Sequence, residues 1–247
     1  MRPVRIAQTN IQLYNQLREA GRPLDELVEV HRAYELLSSL YAGYYQADGK
    51  PFVAHGVGVA SILGWLDQPA DILVVGLLHN VYGNADFGDG GGPGVTPARA
   101  RLLRQAVGAE VAEMLERFRR LRIGPSTLAD VRRSLPERPE AERRLILVDL
   151  ADQLEKHVDL GVLYFGNHDW VHTEQIGAEL VALARELGEP RLAEMLENAL
   201  ADVAAADVPA QLRTSDGRRF LKLEVPRSCR RRLLPRVRSR VRRALRT

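Results

Sequence analysis

The chain has 247 residues, and its apolar fraction of 45% and charged fraction of 27% are those of a soluble globular protein. The single cysteine, Cys229, excludes an internal disulfide framework and a cysteine-based zinc cluster, and it favours a reduced, cytoplasmic setting. No run of residues is long and apolar enough for a membrane span, and the N-terminus leads into no apolar signal core.

Apolar residues recur at helical spacing through most of the chain, and turn residues separate the helical stretches. In chain order, the pattern predicts helices over residues 6–20, 24–45, 52–66, 70–81, 97–107, 109–121, 126–134, 139–157, 173–187 and 190–205. Thr96 followed by Pro97 is typical of a helix start. A short β segment is predicted near residues 218–225, but no period-two alternation precedes residue 210. The fold class is therefore predicted to be all-α.

The chain is predicted to divide into a helical domain over residues 1–208, with its core at 24–190, and a C-terminal extension over 209–247. Ten arginines and no acidic residue lie in residues 227–247, so the net charge of +3 leaves 3 − 10 = −7 for the first 226 residues. Five apolar residues of this basic tail fall on one helical stripe: Leu233, Leu234, Val237, Val241 and Leu245.

This stripe, set among the arginines Arg227–Arg246, is predicted to dock on an anionic membrane surface or on an acidic partner. The partner can be the acidic body of a second subunit in a homo-oligomer, and membrane docking would make a cytoplasmic protein peripheral. Pro235 interrupts the helix, so a solvated basic extension is the alternative. No aromatic residue is interleaved with the arginines, which disfavours nucleic acid.

The residues that carry chemistry are histidines and acids in apolar surroundings. His55 and His79 lie 24 residues apart on consecutive predicted helices, and Asp152 lies on the buried face of another. Imidazole and carboxylate form a ligand set for a divalent ion. Because a buried aspartate without a cation or donors is unfavourable, one interpretation is that these three residues converge on a metal.

Each of these residues also has a structural interpretation. The two histidines can be core residues bonded to backbone carbonyls, and Asp152 can pair with Arg143 or Arg144. Asp149, one turn earlier, is either an alternative ligand or an acceptor for a histidine. His31 is predicted to be exposed or in the core. His157, His168 and His172 are predicted to lie at the surface around a loop, and the last two, four residues apart, would bind a metal only if that segment were helical.

Four blocks, in order, carry a resemblance: Gly49-Lys-Pro51-Phe52-Val-Ala-His55, Val59-Ala-Ser-Ile62-Leu63, Leu77-Leu-His79-Asn80 and Leu150-Ala-Asp152-Gln-Leu154. They resemble the HD superfamily of metal-dependent phosphohydrolases, and within it the hydrolase domain of the bacterial (p)ppGpp synthetase/hydrolases. The motif His79-x-x-Tyr82-Gly83 is similar to that of an uncharacterised bacterial family of HD-like proteins.

The resemblance implies an HD-domain-like helical bundle with a divalent manganese, iron, cobalt or zinc ion. Its ligands would be His55, His79 and Asp152, with Asn80 as a weak fourth. It also implies a metal-activated water and a phosphorylated small molecule or nucleotide as substrate. The catalytic roles would fall to Asn80, to Lys50, which would hold phosphate charge, and to Tyr82, which would orient a substrate group. The glycine-rich stretch at 88–94 is either a lid or a floppy connection.

The chain departs from the hydrolase pattern at two places. Asn80 stands where the motif has an aspartate, so the site loses a negative charge. The Glu-Asp pair of the alarmone hydrolases falls at Gly83 and Asn84, neither of which can act as a general base. These departures speak against (p)ppGpp hydrolysis and leave two alternatives. One is a catalytically silent protein that binds a ligand or a partner. The other is an HD-fold iron oxygenase. It is disfavoured because a two-iron site needs more histidine ligands, and no further histidine lies between His79 and Asp152.

Overall fold

A computed structural model describes residues 5–121, 123–165 and 171–214, together with the backbone of 222–223. The helices within these ranges are α1 Asn10–Glu19, α2 Leu24–Tyr41, α3 Phe52–Trp65, α4 Ala70–Leu78, α5 Val81–Asn84, α6 Pro97–Val107, α7 Ala109–Arg120, α8 Leu128–Ser134, α9 Glu140–Val158, α10 Gly161–Tyr164, α11 Glu174–Glu186 and α12 Pro190–Ala205. Short 3₁₀ turns lie at Leu135–Glu137 and Ala210–Leu212. The predicted all-α class is confirmed.

Side chains at the helix starts explain several of these bounds. The Thr9 hydroxyl accepts from the Gln12 backbone N–H, and the Gln12 side-chain oxygen accepts from the Thr9 backbone N–H. These two bonds form a capping box on α1. The Thr96 hydroxyl accepts from the Arg99 backbone N–H at the start of α6, with Pro97 in the first turn as predicted. α6 ends at Gly108, whose φ of 85° places it in the left-handed region that glycine tolerates.

The structure differs from the predicted elements at several places. α1 begins at Asn10 and not at residue 6, and α10 at Gly161–Tyr164 was not predicted. The helix predicted over 24–45 ends at Tyr41, because Gly43 adopts a φ of 80° and turns the chain. Tyr44–Tyr45 then forms a two-residue strand, β1, which pairs antiparallel with β2 at Lys222–Leu223. The predicted β segment near 218–225 therefore exists, whereas its partner was missed. The helix predicted over 70–81 is interrupted at His79 and Asn80 between α4 and α5.

α3 and α4 form the centre of the molecule, and most residues of both are buried, as expected for helices that are apolar all round. Two glycines allow their close approach. A Cβ on Gly56 would lie 2.7 Å from the Leu77 carbonyl oxygen, and one on Gly76 would lie 2.5 Å from Leu63 Cδ1. α2 and α9 pack on this pair. The ends of α3 and α4 that carry histidines are thereby brought to one face of α9.

A smaller apolar cluster joins α10 to the end of α12 through Val162, Leu163, Val203 and Val208. Within the described ranges, no helix has both the length and the apolar character that a membrane crossing needs. The basic tail, Arg227–Arg246, lies outside the described residues. Its docking partners, the cytoplasmic location and the boundary between residues 208 and 209 stay predictions.

Candidate metal centre

Three helices each contribute one polar side chain to a point inside the bundle. His55 lies in the first turn of α3, which begins after Pro51, and His79 lies at the residue where α4 ends. Asp152 lies in the middle of α9. All three side chains are buried, with 1%, 5% and 6% of each residue exposed. Apolar helices therefore carry three polar groups inward, and these groups need partners.

The three side chains are partners of one another. His55 Nε2 lies 3.2 Å from His79 Nε2 and 3.0 Å from Asp152 Oδ1, and His79 Nε2 lies 3.4 Å from the same oxygen. Bonds of about 2.0–2.2 Å from one ion to nitrogen and oxygen ligands separate those ligands by roughly 3.0–3.5 Å. The triangle has the size of one face of a metal coordination sphere. His55, His79 and Asp152 form the group of possible ligands within the described residues.

The hydrogen bonds of the outer nitrogens, the Nδ1 atoms of both histidines, explain why the inner Nε2 atoms that face Asp152 need a cation. His55 Nδ1 donates to Glu155 Oε2 at 2.5 Å, and His79 Nδ1 donates to the Gly76 carbonyl oxygen at 2.7 Å. A neutral imidazole that donates from Nδ1 carries a lone pair on Nε2. Two lone pairs then face Asp152 Oδ1, which has no hydrogen-bond partner within the described structure when both rings are neutral. These donors fit a divalent ion.

A proton is the alternative occupant of this point. Burial alone would lower the pKa of His55, but the carboxylates of Glu155 and Asp152 outweigh it and raise that pKa to about 9. Without a metal, the site therefore holds an imidazolium at neutral pH. A divalent ion that binds here displaces this proton, which makes metal affinity depend on pH.

Lys156 fixes the other side of Asp152. Its ammonium lies 2.6 Å from Asp152 Oδ2, so that Oδ1 is left to the two histidines. Burial would raise the pKa of Asp152, but Lys156 and the histidines hold it well below its usual range. The predicted alternative in which Asp152 pairs with Arg143 or Arg144 is wrong, since the cation that reaches it is one helical turn away on α9.

Glu155 was missed by the sequence analysis, although it contacts both His55 and Lys50. It is 0% exposed, and its Oε1 lies 2.6 Å from the Lys50 ammonium. Lys50 also pairs with Asp159 at 2.5 Å. The spacing of three residues from Asp152 puts Glu155 on the same face of α9 and was the signal available in the sequence. Asp149 is not in the ligand group, and burial raises its pKa to about 7, with a further contribution from Asp152.

The other predicted site residues lie at different distances from the three ligand atoms. Asn80 is adjacent, with its amide nitrogen 2.7 Å from His79 Nε2. Lys50 lies farther from the three ligand atoms, since it pairs with Glu155, which in turn contacts His55. Tyr82 is buried and stacks on Phe87, and its hydroxyl has no hydrogen-bond partner among the described residues. Their predicted catalytic roles stay predictions.

The glycine-rich stretch at 88–94 makes several hydrogen bonds to Arg99 of α6. The buried guanidinium of Arg99 makes two bonds of 2.7 Å to Asp89 and further bonds to the carbonyl oxygens of Gly92 and Gly94. Arg99 also lies 4.7 Å above the Phe87 ring. The backbone of Gly94 donates to the Tyr82 carbonyl oxygen. The predicted lid is thus tied to the Tyr82 side of the fold.

The remaining histidines divide between surface and interior. His31 is exposed and bonds to the Tyr14 hydroxyl, as predicted. His157, predicted at the surface, is only 1% exposed because its ring stacks on His172 at 5.0 Å. Both rings also bond to Gln153. His168 lies outside the described residues.

Two surface clefts lie away from the three ligands. One of 510 Å³ includes Arg104 and Glu116, and one of 700 Å³ includes Arg132 and Glu186. Neither is lined by His55, His79 or Asp152. Convergent donor chemistry, and not cavity volume, therefore identifies this site. The Phe118 ring covers the edge of His79, with 5.6 Å between the ring centroids.

Comparison with known proteins gives a consistent result. A family model described as an HD domain matches residues 33–156, half of the chain. The bifunctional (p)ppGpp synthase/hydrolase SpoT of Escherichia coli is 28% identical over 154 residues, which cover 60% of this chain and 20% of that protein. A GTP pyrophosphokinase of Streptomyces coelicolor is 22% identical over 166 residues, 61% of this chain and 18% of that protein. The chain spans about a fifth of the length of these relatives.

Proposed function

The chain belongs to the HD-domain family, and from this premise we propose that it is a metal-dependent hydrolase of a phosphorylated small molecule or nucleotide. The family and the hydrolase relatives support phosphohydrolase-type chemistry. The observation that carries the proposal is the convergence of His55 Nε2, His79 Nε2 and Asp152 Oδ1 within 3.4 Å of one another. Manganese, iron, cobalt and zinc all suit this donor set.

The protein's own residues have distinct tasks in this mechanism. The two histidines and Asp152 hold the ion, and Lys156 keeps Asp152 ionised through its outer oxygen. A divalent ion at this point supplies an activated water and polarises a phosphoryl oxygen. Asn80 can offer its amide oxygen beside His79 after rotation of the amide group. Phe118 shields one side of His79 from solvent.

The proposed substrate class is a phosphate ester other than the alarmone named for the relatives. SpoT is named a (p)ppGpp synthase/hydrolase. In this chain Gly83 and Asn84 occupy the positions of the Glu-Asp pair of that hydrolase family, and neither side chain can act as a base. In addition, Lys50 is already paired with Glu155 and Asp159, so its predicted contact with a substrate phosphate would require one of these pairs to open.

The experiment that tests the proposal begins with elemental analysis of the protein purified without added metal or chelator, beside the variant His79→Ala. We expect near-stoichiometric transition metal in the wild type and its loss in the variant. Loaded protein is then assayed for phosphate release from nucleoside monophosphates, nucleoside diphosphates and sugar phosphates. A wild type that neither contains nor takes up metal would refute the proposal, and metal without phosphate release would favour a binding protein.

A second candidate function, a catalytically silent ligand- or partner-binding protein, rests on one contact. As oriented in the structure, the Asn80 amide nitrogen faces His79 Nε2 at 2.7 Å and can donate to the lone pair that a metal would use. The variant Asn80→Asp tests this contact because a carboxylate cannot donate this bond and adds a negative charge. We expect tighter cobalt binding in Asn80→Asp by isothermal titration. Unchanged affinity would show that residue 80 does not face the ion.

A further inference from the structure

Glu155 is a fully buried charged residue beside the metal centre. It is not one of the three metal-ligand candidates, so its role is unassigned. It is 0% exposed, although an unpaired carboxylate in such a place would cost several kcal/mol, on the order of the penalty for any buried ion. Each of its oxygens is used. Oε2 accepts from His55 Nδ1 at 2.5 Å, and Oε1 accepts from Lys50 Nζ at 2.6 Å.

The packing around Glu155 shows that the helix opposite is shaped to admit it. Gly58 lies one turn after His55 on α3, and a Cβ at this position would lie 2.7 Å from both Glu155 Cγ and Oε1. Any larger residue at 58 would therefore push the carboxylate out of its place. Glu155 has no room to turn away from His55, since the side chain is enclosed on all sides.

The two ion pairs of Lys50 connect the buried Glu155 to the protein surface. Its ammonium joins the buried Glu155 to Asp159, whose side chain is 42% exposed. The positive charge compensates Glu155, so that the carboxylate can stay ionised beside a neutral His55.

We propose that Glu155 is a positioning residue for the metal centre, which fixes the tautomer and orientation of His55 and strengthens it as a ligand, with Lys50 as its counter-charge. This inference rests on the proposed function, because it presumes that His55 binds a metal. A carboxylate that accepts from the outer nitrogen of a histidine ligand forces the lone pair onto the inner nitrogen and increases its basicity. His79 has only the weaker Gly76 carbonyl in this place. The two histidines are thus unequal ligands.

The test compares Glu155→Gln with Glu140→Gln, which makes the same chemical change at an exposed position of the same helix. Both variants and the wild type are titrated with cobalt(II), and affinity and visible spectrum are recorded. Because loss of such an outer partner typically weakens metal binding about 10–100-fold, we expect a loss of this size and an altered cobalt spectrum for Glu155→Gln. Glu140→Gln should match the wild type. A Glu155→Gln variant with wild-type affinity and spectrum would overturn the inference.

A second variant keeps the test decisive if Glu155→Gln does not fold. Gly58→Ala removes no charge but displaces the carboxylate, and the same loss of cobalt affinity is expected. Unchanged affinity in Gly58→Ala would then overturn the inference. Failure of the proposed function looks different, because the wild type itself would bind no cobalt. A wild type that binds cobalt but hydrolyses no phosphate ester would leave the role of Glu155 measurable.

Discussion

The close approach of α3 and α4 at Gly76 leads to a prediction that tests the fold and the metal centre together. A Cβ at Gly76 would lie 2.5 Å from Leu63 Cδ1 and 3.3 Å from Val59 Cγ1. Carbon atoms in contact stay about 3.5–4.0 Å apart, so Gly76→Ala requires a displacement of about 1 Å. Leu63 is 0% exposed and cannot move into solvent. Because the surrounding core is dense, we expect part of this displacement to separate α3 from α4, and thereby His55 from His79.

The size of the effect follows from two opposing contributions. Overpacking of a dense core costs about 1–3 kcal/mol. Replacement of a helical glycine by alanine returns roughly 0.5–1 kcal/mol. Gly83→Ala is the matched control, since Gly83 also lies in a helix, has no positive φ, and a Cβ there would meet nothing within 4 Å. The difference between the two variants isolates the steric clash, so we expect Gly76→Ala to be about 1–3 kcal/mol less stable than Gly83→Ala.

Urea unfolding of the chelated proteins measures this difference, and cobalt titration measures its consequence at the site. A loss of 1 kcal/mol lowers the midpoint of thermal unfolding by about 2–4 °C for a chain of this size, so a thermal scan gives an independent estimate. We expect Gly76→Ala alone to bind cobalt more weakly. If Gly76→Ala proves as stable as Gly83→Ala and binds cobalt equally well, the helices do not pack as the structure shows.

Two further predictions concern protonation and the glycine-rich loop. In the folded protein the pKa of His55 is raised from 6.5 to about 9. Protonation of His55 therefore stabilises the metal-free fold. This contribution is fully present below pH 6.5 and is lost as the pH rises through 9. Chelated wild type should therefore lose unfolding free energy between pH 7 and 10 more steeply than His55→Gln, and equal slopes would contradict the assignment. Arg99→Lys cannot reproduce the forked contact with Asp89. Limited proteolysis should cut residues 88–94 faster in this variant, whereas cobalt affinity should not change; a loop as resistant as that of the wild type would count against Arg99 as its anchor.

Much of the fold follows from local sequence rules. The start of α6 at Thr96 and Pro97 is determined by residues that contact each other within one turn, so the sequence was sufficient to place it. The three metal-ligand candidates were also predictable, because a polar residue in an apolar helix can be recognised before its partners are known. By contrast, a two-residue strand such as Tyr44–Tyr45 contains too few residues to show alternation.

The residues that were missed share one physical property. Glu155, Lys156 and Arg99 are charged, and charged residues on a helix usually indicate a solvated face. Lys156 and Arg99 pair with acids 4 and 10 positions away, whereas Glu155 is buried by partners from a distant part of the chain. Lys50, for example, reaches Glu155 across 105 positions of sequence. Single-sequence periodicity contains no information about such partners, and only the packing of α3 on α9 shows that these charges face inward.

The outer contacts of the metal centre also indicate which residue decides between the two candidate functions. Glu155 fixes the outer atom of His55, the Gly76 carbonyl that of His79, and Lys156 that of Asp152. These contacts leave each of the three ligand atoms one orientation, towards the common point. Asn80 is the exception, because its amide can present either its nitrogen or its oxygen to His79. With the nitrogen inward, a bond to Nε2 competes with a metal; with the oxygen inward, a fourth ligand is gained. Hydrolase chemistry is therefore favoured by the orientation with the oxygen inward, and tighter metal binding by Asn80→Asp would support residue 80 as a position that faces the ion.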